Sequence, residues 1–176
     1  MYAQVKRTRT IIFFAVSISL MMFASYGLKA QRLAVSTNTL EYLVLSPNIE
    51  VEFALTHHHT LSLNGSIAPW NVSKKYSVSH MSVSPEWKYW LKLPFYGHYF
   101  GANLKYSVYD IFWNSNKIEG NIFSVGPTYG NSFIIGKKWN LVPNFGIGAG
   151  VDFRAGAPRI VPIVTKFGLN IQMVVR

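Results

Sequence analysis

The stretch NIEVEFAL at residues 48–55 alternates apolar with polar or small side chains. Two-residue alternation is the signature of a β-strand whose faces meet chemically different surroundings, and helical periodicity is nearly absent after Gln31. The same pattern recurs, clearly at 81–90, 99–109, 141–153 and 158–176 and more weakly at 32–43, 60–69 and 121–134. The sequence therefore predicts eight strands.

The length of these segments indicates that the strands cross a membrane. Several run to ten residues or more, whereas an ordinary strand has about 5–6 residues and a tilted strand crosses a bilayer in about 9–11. We therefore predict an all-β fold, an eight-stranded antiparallel up-and-down transmembrane β-barrel. Longer connections are expected outside the cell and shorter turns in the periplasm. The predicted outer loops are 70–79, 110–120 and 154–159.

Aromatic residues fall near both predicted ends of the strands. Rings that prefer the boundary between lipid and water form two such belts in membrane barrels. The predicted outer belt contains Trp70, Tyr109, Phe112 and Trp113, and the predicted inner belt contains Trp87, Tyr89, Tyr96, Tyr99, Phe133 and Trp139.

Composition excludes several classes of protein. Of the 176 residues, 49% are hydrophobic and 14% are charged, against roughly 25% charged residues in soluble domains. Such a chain is too apolar to be disordered. The absence of cysteine excludes disulfide scaffolds, thiolate metal sites and cysteine nucleophiles.

The first thirty residues have the layout of a secretory signal peptide. A positive start (Lys6, Arg7 and Arg9) precedes an apolar run at 11–24 and a cleavage site after Ala30. We expect a signal peptide at 1–30 and a barrel domain at 31–176, with a retained N-terminal anchor as the alternative. Cleavage would remove four of the positive charges, so the net charge of +10 is partly an export signal. We accordingly expect no nucleic-acid partner.

The predicted interior carries both acids and bases. Buried charges must be paired or strongly shifted in pKa, so a structural ion-pair network is preferred to a proton relay or a catalytic pair. Glu50 and Glu52 share a face and need a base between them, which Lys105 or Lys166 would supply. The predicted lumen network is Glu50, Glu52, Glu86, Lys88, Lys105, Asp152 and Lys166.

Four stretches together resemble a family of small outer-membrane barrels of Bacteroidota type, whose domain is of unknown function. They are SPNIEVEFAL (46–55), APWN (68–71), SPEWKYWLKLPFYGHYFGANLKY (84–106) and GPTYGNSFIIGKKWNLVPNFGIGAGV (126–151). The resemblance implies a barrel in the outer membrane of a Gram-negative bacterium. It assigns no catalytic residues.

Two further groups of residues are candidates for binding. His57, His58 and His59 adjoin one another in a predicted turn, where a hydrated turn is favoured over a metal site, and we expect neither a metal nor a cofactor. Basic residues of the predicted outer loops could pair with lipopolysaccharide phosphates. These are Lys74, Lys75, Lys117, Arg154 and Arg159.

We expect a non-catalytic, monomeric outer-membrane protein with a filled interior and a structural or adhesive role at the cell surface. An extracellular protein or glycan would be its partner, beside the lipid itself. The first alternative is a lipid A-modifying enzyme of deacylase type, which would use His80 with Ser79 or Ser82, or else His98. The second is a soluble periplasmic ligand-binding barrel, in which Phe53, Leu104 and Ile147 would point inward.

Overall fold

The structure is a computed structural model and describes residues 33–73, 76–113, 116–153 and 158–175, with side chains described outside 69–78 and 111–118. The predicted signal peptide lies outside these residues. Within them, no helix is long and apolar enough to cross a bilayer.

Eight antiparallel strands form a closed barrel, as the alternation predicts. Each strand pairs with the next, and β1 pairs with β8 from Leu33 opposite Val175 to Asn38 opposite Asn170. The strands are β1 (Leu33–Asn38), β2 (Asn48–Ala54), β3 (His59–Ser73), β4 (Tyr76–Trp90), β5 (Gly97–Trp113), β6 (Asn116–Ile134), β7 (Trp139–Asp152) and β8 (Arg159–Val175).

The two ends of the barrel differ. At one end, which we call the turn end, segments 55–58, 91–96 and 135–138 join the strands. At the other, the hairpin end, β3 and β4 stay paired to Ser73 opposite Tyr76, and β5 and β6 to Trp113 opposite Asn116. The predicted loops 70–79 and 110–120 are therefore wrong, because both are mostly strand. The sequence there lacks a clear two-residue alternation, yet the backbone ladder continues.

One short helix interrupts the β-structure. Helix α1 (Thr39–Leu43) follows β1, and Asn38 caps it by accepting a hydrogen bond from the backbone N–H of Leu40. The prediction of a strand over 32–43 is thus wrong beyond Asn38. The N-cap explains the change, because an Asn side chain that satisfies a free helical N–H favours a helix start.

Side chains alternate between a polar interior and an apolar exterior. Glu50, Glu52 and Asn103 are each 1% exposed, whereas Leu104 is 44% exposed. On β5 the outward positions from Phe100 to Val108 are all apolar, and their midpoint is Leu104. The barrel therefore places its hydrophobic surface outside.

A β-bulge in β8 changes which residues face inward. Gly146 pairs with Lys166 and Ile147 with Val164, so Thr165 has no partner on β7. Both Thr165, 2% exposed, and Lys166 then belong to the interior. Two-residue alternation along 158–176 would place Ile163 on the outward face with Phe167, but the extra residue shifts the alternation by one and turns Ile163 to the other face.

The aromatic belts need one correction. Tyr99 is fully buried and Tyr109 is 9% exposed, and both face the interior rather than the lipid boundary. The other predicted residues of the turn-end belt are exposed by 38–51%, namely Trp87, Tyr89, Tyr96, Phe133 and Trp139. The side chains of Trp70, Phe112 and Trp113 lie outside the described residues.

Candidate functional site

Buried ion pairs cross the middle of the lumen. The Lys88 ammonium lies 2.7 Å from Oε1 of Glu50 and 2.7 Å from Oε2 of Glu52. The Lys166 ammonium lies 3.0 Å from Oε2 of Glu50 and bonds Oε2 of Glu86. We call these five residues the ion layer: Glu50, Glu52, Glu86, Lys88 and Lys166.

Neutral side chains saturate the remaining carboxylate oxygens. The Thr60 hydroxyl donates to Glu52 and the Thr128 hydroxyl to Glu86, each at 2.5 Å. The amides of Asn170 and Gln172 donate to Glu50 and Glu52, each at 3.2 Å. Complete hydrogen bonding is what lets charges persist in a low-dielectric interior.

All seven residues of the predicted lumen network face the interior, and five of them form the ion layer. The base between Glu50 and Glu52 is Lys88, instead of Lys105 or Lys166 as we expected. Alternation along one strand predicts which face a side chain occupies. It does not predict that Lys88 on β4 extends past β3 to contact two glutamates on β2. Asp152 stands apart and accepts a 3.0 Å hydrogen bond from the Tyr109 hydroxyl.

Below the ion layer, toward the turn end, the lumen is filled by an apolar plug of Trp90, Phe95, Tyr99 and Val142. The Trp90 indole N–H donates to the Thr60 hydroxyl at 3.0 Å, which joins the plug to the ion layer. The Phe95 carbonyl accepts from Ser132 and Asn140 at 2.8 Å each, and these bonds hold the 91–96 turn in the barrel mouth. Sequence alternation alone did not reveal that a turn residue enters the barrel.

Above the ion layer, toward the hairpin end, lies a cavity of about 460 Å³. Glu50 and Lys166 form part of its lining, which also includes Glu41, His80, Lys105 and Tyr109. We call it the lumen cavity. The predicted network residue Lys105 lines this cavity and makes no ion pair with any described carboxylate.

Glu41 enters the lumen cavity from helix α1. The Asn38 amide donates to its Oε1 at 3.2 Å, while Oε2 is buried and has no hydrogen-bond partner among the described residues. Burial raises the pKa of the Glu41 carboxyl, against the lowering effects of the Asn38 bond and of the Lys105 and Lys166 charges. The predictions missed Glu41, because its segment was assigned to a strand.

The three adjacent histidines point to different partners. His58 Nδ1 lies 2.9 Å from the Trp90 carbonyl, and His59 stacks on Trp87 with 5.3 Å between ring centroids. Among the described residues, no three His, Asp or Glu side chains are arranged to hold a metal ion.

The serine and histidine candidates do not meet in the described part of the chain. Ser82 shares a 2.9 Å hydrogen bond with Ser66, and exposed His98 Nδ1 lies 2.7 Å from the Tyr129 hydroxyl. His80 lines the lumen cavity but makes no hydrogen bond to a described serine. Among the described residues, neither His80 nor His98 hydrogen-bonds to a serine hydroxyl.

The predicted basic loop residues are not all in loops. Lys117 lies within β6, and exposed Arg159 begins β8 opposite Asp152. Lys117 was misplaced because the β5–β6 hairpin is longer than predicted, whereas Arg159 stands where the predicted loop 154–159 meets the predicted strand 158–176. Lys74, Lys75 and Arg154 lie outside the described residues.

A family model described as "Protein of unknown function (DUF3575)" matches residues 13–154. The chain belongs to the DUF3575 family. No curated protein and no solved structure matches this DUF3575 protein. The family match ends after β7, so it includes Glu50, Glu52, Glu86 and Lys88 but not Lys166.

Proposed function

We propose that this DUF3575 protein is a non-catalytic outer-membrane β-barrel of a Gram-negative bacterium, of Bacteroidota type. It is exported by a cleaved signal peptide and acts as a monomer in a structural or adhesive role. Its hairpin end faces outward and presents β3–β4, β5–β6 and β7–β8 to an extracellular protein or glycan and to lipopolysaccharide.

The observation that carries the membrane location is the inverted distribution of side chains. Three glutamates and two lysines are buried in the lumen, while large apolar residues cover the outer wall. In water this arrangement would expose apolar surface and bury charge, both at a cost. In lipid it is favourable, because each strand pairs with two neighbours and the backbone groups within those ladders are satisfied inside the protein.

A structural role without conduction is supported by the filled lumen. The ion layer and the apolar plug occupy the cross-section in succession, and Trp90 and Tyr99 are fully buried. An eight-stranded barrel is narrow enough for side chains to fill it. We expect no steady ion conductance.

The two alternatives receive less support. A soluble barrel with an apolar ligand needs Phe53, Leu104 and Ile147 inside, yet they are 48%, 44% and 53% exposed. A deacylase needs a histidine in contact with its serine, and neither His80 nor His98 has a described one.

Fractionation of cells expressing the full chain tests the proposal. We expect the protein in detergent-extracted outer membranes, with a gel mobility that changes on boiling because a folded barrel resists detergent. Surface protease should cut the hairpin end, and planar bilayers containing the purified protein should show no stable channel. Recovery in the detergent-free soluble fraction, or unitary conductance from the wild type, would contradict the proposal.

Lipid analysis tests the enzyme alternative. A deletion strain should keep the lipid A mass spectrum of its parent. A mass change restored by the wild-type gene but not by His80→Ala or His98→Ala would replace the non-catalytic assignment with an enzymatic one.

A further inference from the structure

The barrel wall has a gap at its hairpin end. β1 ends at Asn38 opposite Asn170, so residues 159–169 of β8 have no ladder partner on that side among the described residues. β2 begins at Asn48 opposite Ser66, and the Ile67 N–H donates to the Pro47 carbonyl at 3.1 Å, so residues 68–73 of β3 have no ladder partner there among the described residues. Helix α1 and the segment 44–47 cross between these two edges. We call this gap the notch.

The lumen cavity reaches the outer surface through the notch. Its lining includes Val44, Val164 and Phe167, which are 70%, 53% and 63% exposed and belong to the outer face. The same lining includes the interior residues Glu50 and Lys166. A cavity bordered by residues of both faces opens sideways, toward the surroundings of the barrel wall.

Apolar side chains surround the outer side of this opening. Helix α1 and the residues after it expose Tyr42, Leu43 and Leu45 by 48–80%, and the β8 margin exposes Phe167. The four exposed residues 42–45 are all uncharged. The rim therefore suits hydrocarbon chains, while the cavity behind it suits a polar group.

Two polar groups inside the cavity have unused bonding capacity. No described carboxylate lies within 4.0 Å of the Lys105 ammonium, and the buried Oε2 of Glu41 has no described partner. The two groups do not pair with each other. A single ligand carrying an anionic oxygen for Lys105 and an N–H donor for Glu41 would satisfy both.

We propose that the lumen cavity binds the head group of a membrane phospholipid that carries a primary ammonium, admitted sideways through the notch. The phosphate contacts Lys105 and the ammonium donates to Glu41, while the acyl chains stay outside against Phe167, Val164 and the apolar residues of α1. The volume of about 460 Å³ falls within the range of about 300–1,000 Å³ typical of ligand pockets. The site rests on the proposed membrane location, and with the hairpin end outward it takes a phospholipid present in the outer leaflet beside lipopolysaccharide.

This chemistry makes a specific distinction among lipids. Phosphatidylethanolamine has both the phosphate and the N–H donors. Phosphatidylcholine keeps the phosphate and the positive charge but has no N–H, and phosphatidylglycerol has no cation. Losing one hydrogen bond to a charged partner should weaken binding by about tenfold or more.

Native mass spectrometry of the full processed chain in detergent tests the site, with the three lipids supplied in turn at equal chain length. We expect a one-to-one adduct with phosphatidylethanolamine that survives collisional activation, and at least about tenfold fewer adducts with the other two. Equal retention of all three lipids would mean adventitious binding around the barrel and would overturn the proposal.

Variants locate the adduct. Lys105→Met should abolish it, Lys105→Arg should retain it, and Glu41→Gln, which keeps an acceptor oxygen but loses the charge, should reduce the preference over phosphatidylcholine. The matched control is Lys92→Met in the turn 91–96, at the opposite end, which should bind as the wild type does. Heat-modifiable gel mobility verifies that each variant is folded. If Lys105→Met does not fold, Lys105→Arg and Glu41→Gln still test the site.

Two outcomes separate this proposal from the proposed function. Unchanged phosphatidylethanolamine binding in a folded Lys105→Met or Glu41→Gln variant would overturn the site while leaving the membrane location intact. Selective binding in detergent by a protein that cells keep in the soluble fraction would contradict the membrane location instead.

Discussion

Lys88 holds Glu50 at 2.7 Å across the lumen, although the strands that carry them, β4 and β2, are separated by β3. The contact therefore joins parts of the wall that no backbone hydrogen bond joins directly. Glu50 also binds Lys166 on β8, so this single carboxylate on β2 connects β4 to β8 across the lumen.

Lys88→Met should destabilise the barrel strongly. It leaves Glu50 and Glu52 as buried carboxylates short of one counter-charge, and breaking a buried pair typically costs about 3–5 kcal/mol. Tryptophan fluorescence during urea unfolding in lipid vesicles would measure the loss. Lys92→Met, which removes an exposed lysine, serves as the control and should change stability little. Equal effects of the two substitutions would show that the ion layer contributes nothing particular.

Gly130→Ala should be costly because a Cβ atom at Gly130 would lie 2.4 Å from the Tyr99 ring. Tyr99 is fully buried in the apolar plug, so its ring has little room to move, and we expect a loss of about 1–3 kcal/mol. Gly65→Ala is the matched control, since nothing lies within 4 Å of its Cβ position. Urea midpoints compare the two, and Tyr99→Leu should partly rescue Gly130→Ala. A wild-type urea midpoint for Gly130→Ala would show that the Tyr99 ring can move aside for the added Cβ atom.

Leu104→Arg tests the outward face. Leu104 lies midway along the apolar outer positions of β5, where an arginine facing hydrocarbon costs about 2–4 kcal/mol. Folding yield into vesicles should fall, and stability should drop by that amount. Leu91→Arg changes an exposed leucine in a turn and should be tolerated. Insertion of Leu104→Arg with wild-type stability would argue against lipid around β5.

Glu41→Gln should make stability depend less on pH. Burial raises the pKa of Glu41 above its ordinary value of 4.5, so the unfolded chain ionises first as the pH rises. The free energy of unfolding therefore falls as the pH rises from about 4.5 to the pKa of Glu41 in the folded state, and it stays lower above that pKa. The variant should exceed the wild type in stability near pH 7 and match it near pH 4. Urea midpoints at pH 7 and pH 4 measure the difference in stability between the variant and the wild type. A difference of the same size at both pH values would contradict a raised pKa of Glu41.

Much of the barrel was predictable from single strands. Alternation at 48–55 placed Glu50 and Glu52 inside and Phe53 outside, since the direction of a strand side chain depends only on its position. Pairing partners were not predictable in this way. Lys88 reaches Glu52 only because β2, β3 and β4 stand in one particular register.

Local irregularities account for most of the errors. The bulge at Thr165 shifts Ile163 inward, helix α1 replaces the end of a predicted strand, and Tyr99 fills the lumen although its aromatic ring suggested an interface. The bulge and the burial of Tyr99 depend on neighbouring strands, as Tyr99 against Gly130 shows, whereas helix α1 begins at the local cap of Asn38. A periodicity along one segment does not contain that information.

The pairing of Leu33 with Val175 makes closure depend on the strand that comes last in the chain. That strand also brings the Lys166 ammonium to Glu50 and Glu86. A nascent barrel missing β8 would therefore suffer two defects together, a pair of bare edges and an excess of negative charge at its centre. The last strand therefore closes the wall and supplies the second of two lysines to three buried glutamates in the same step, so a copy truncated before β8 lacks both.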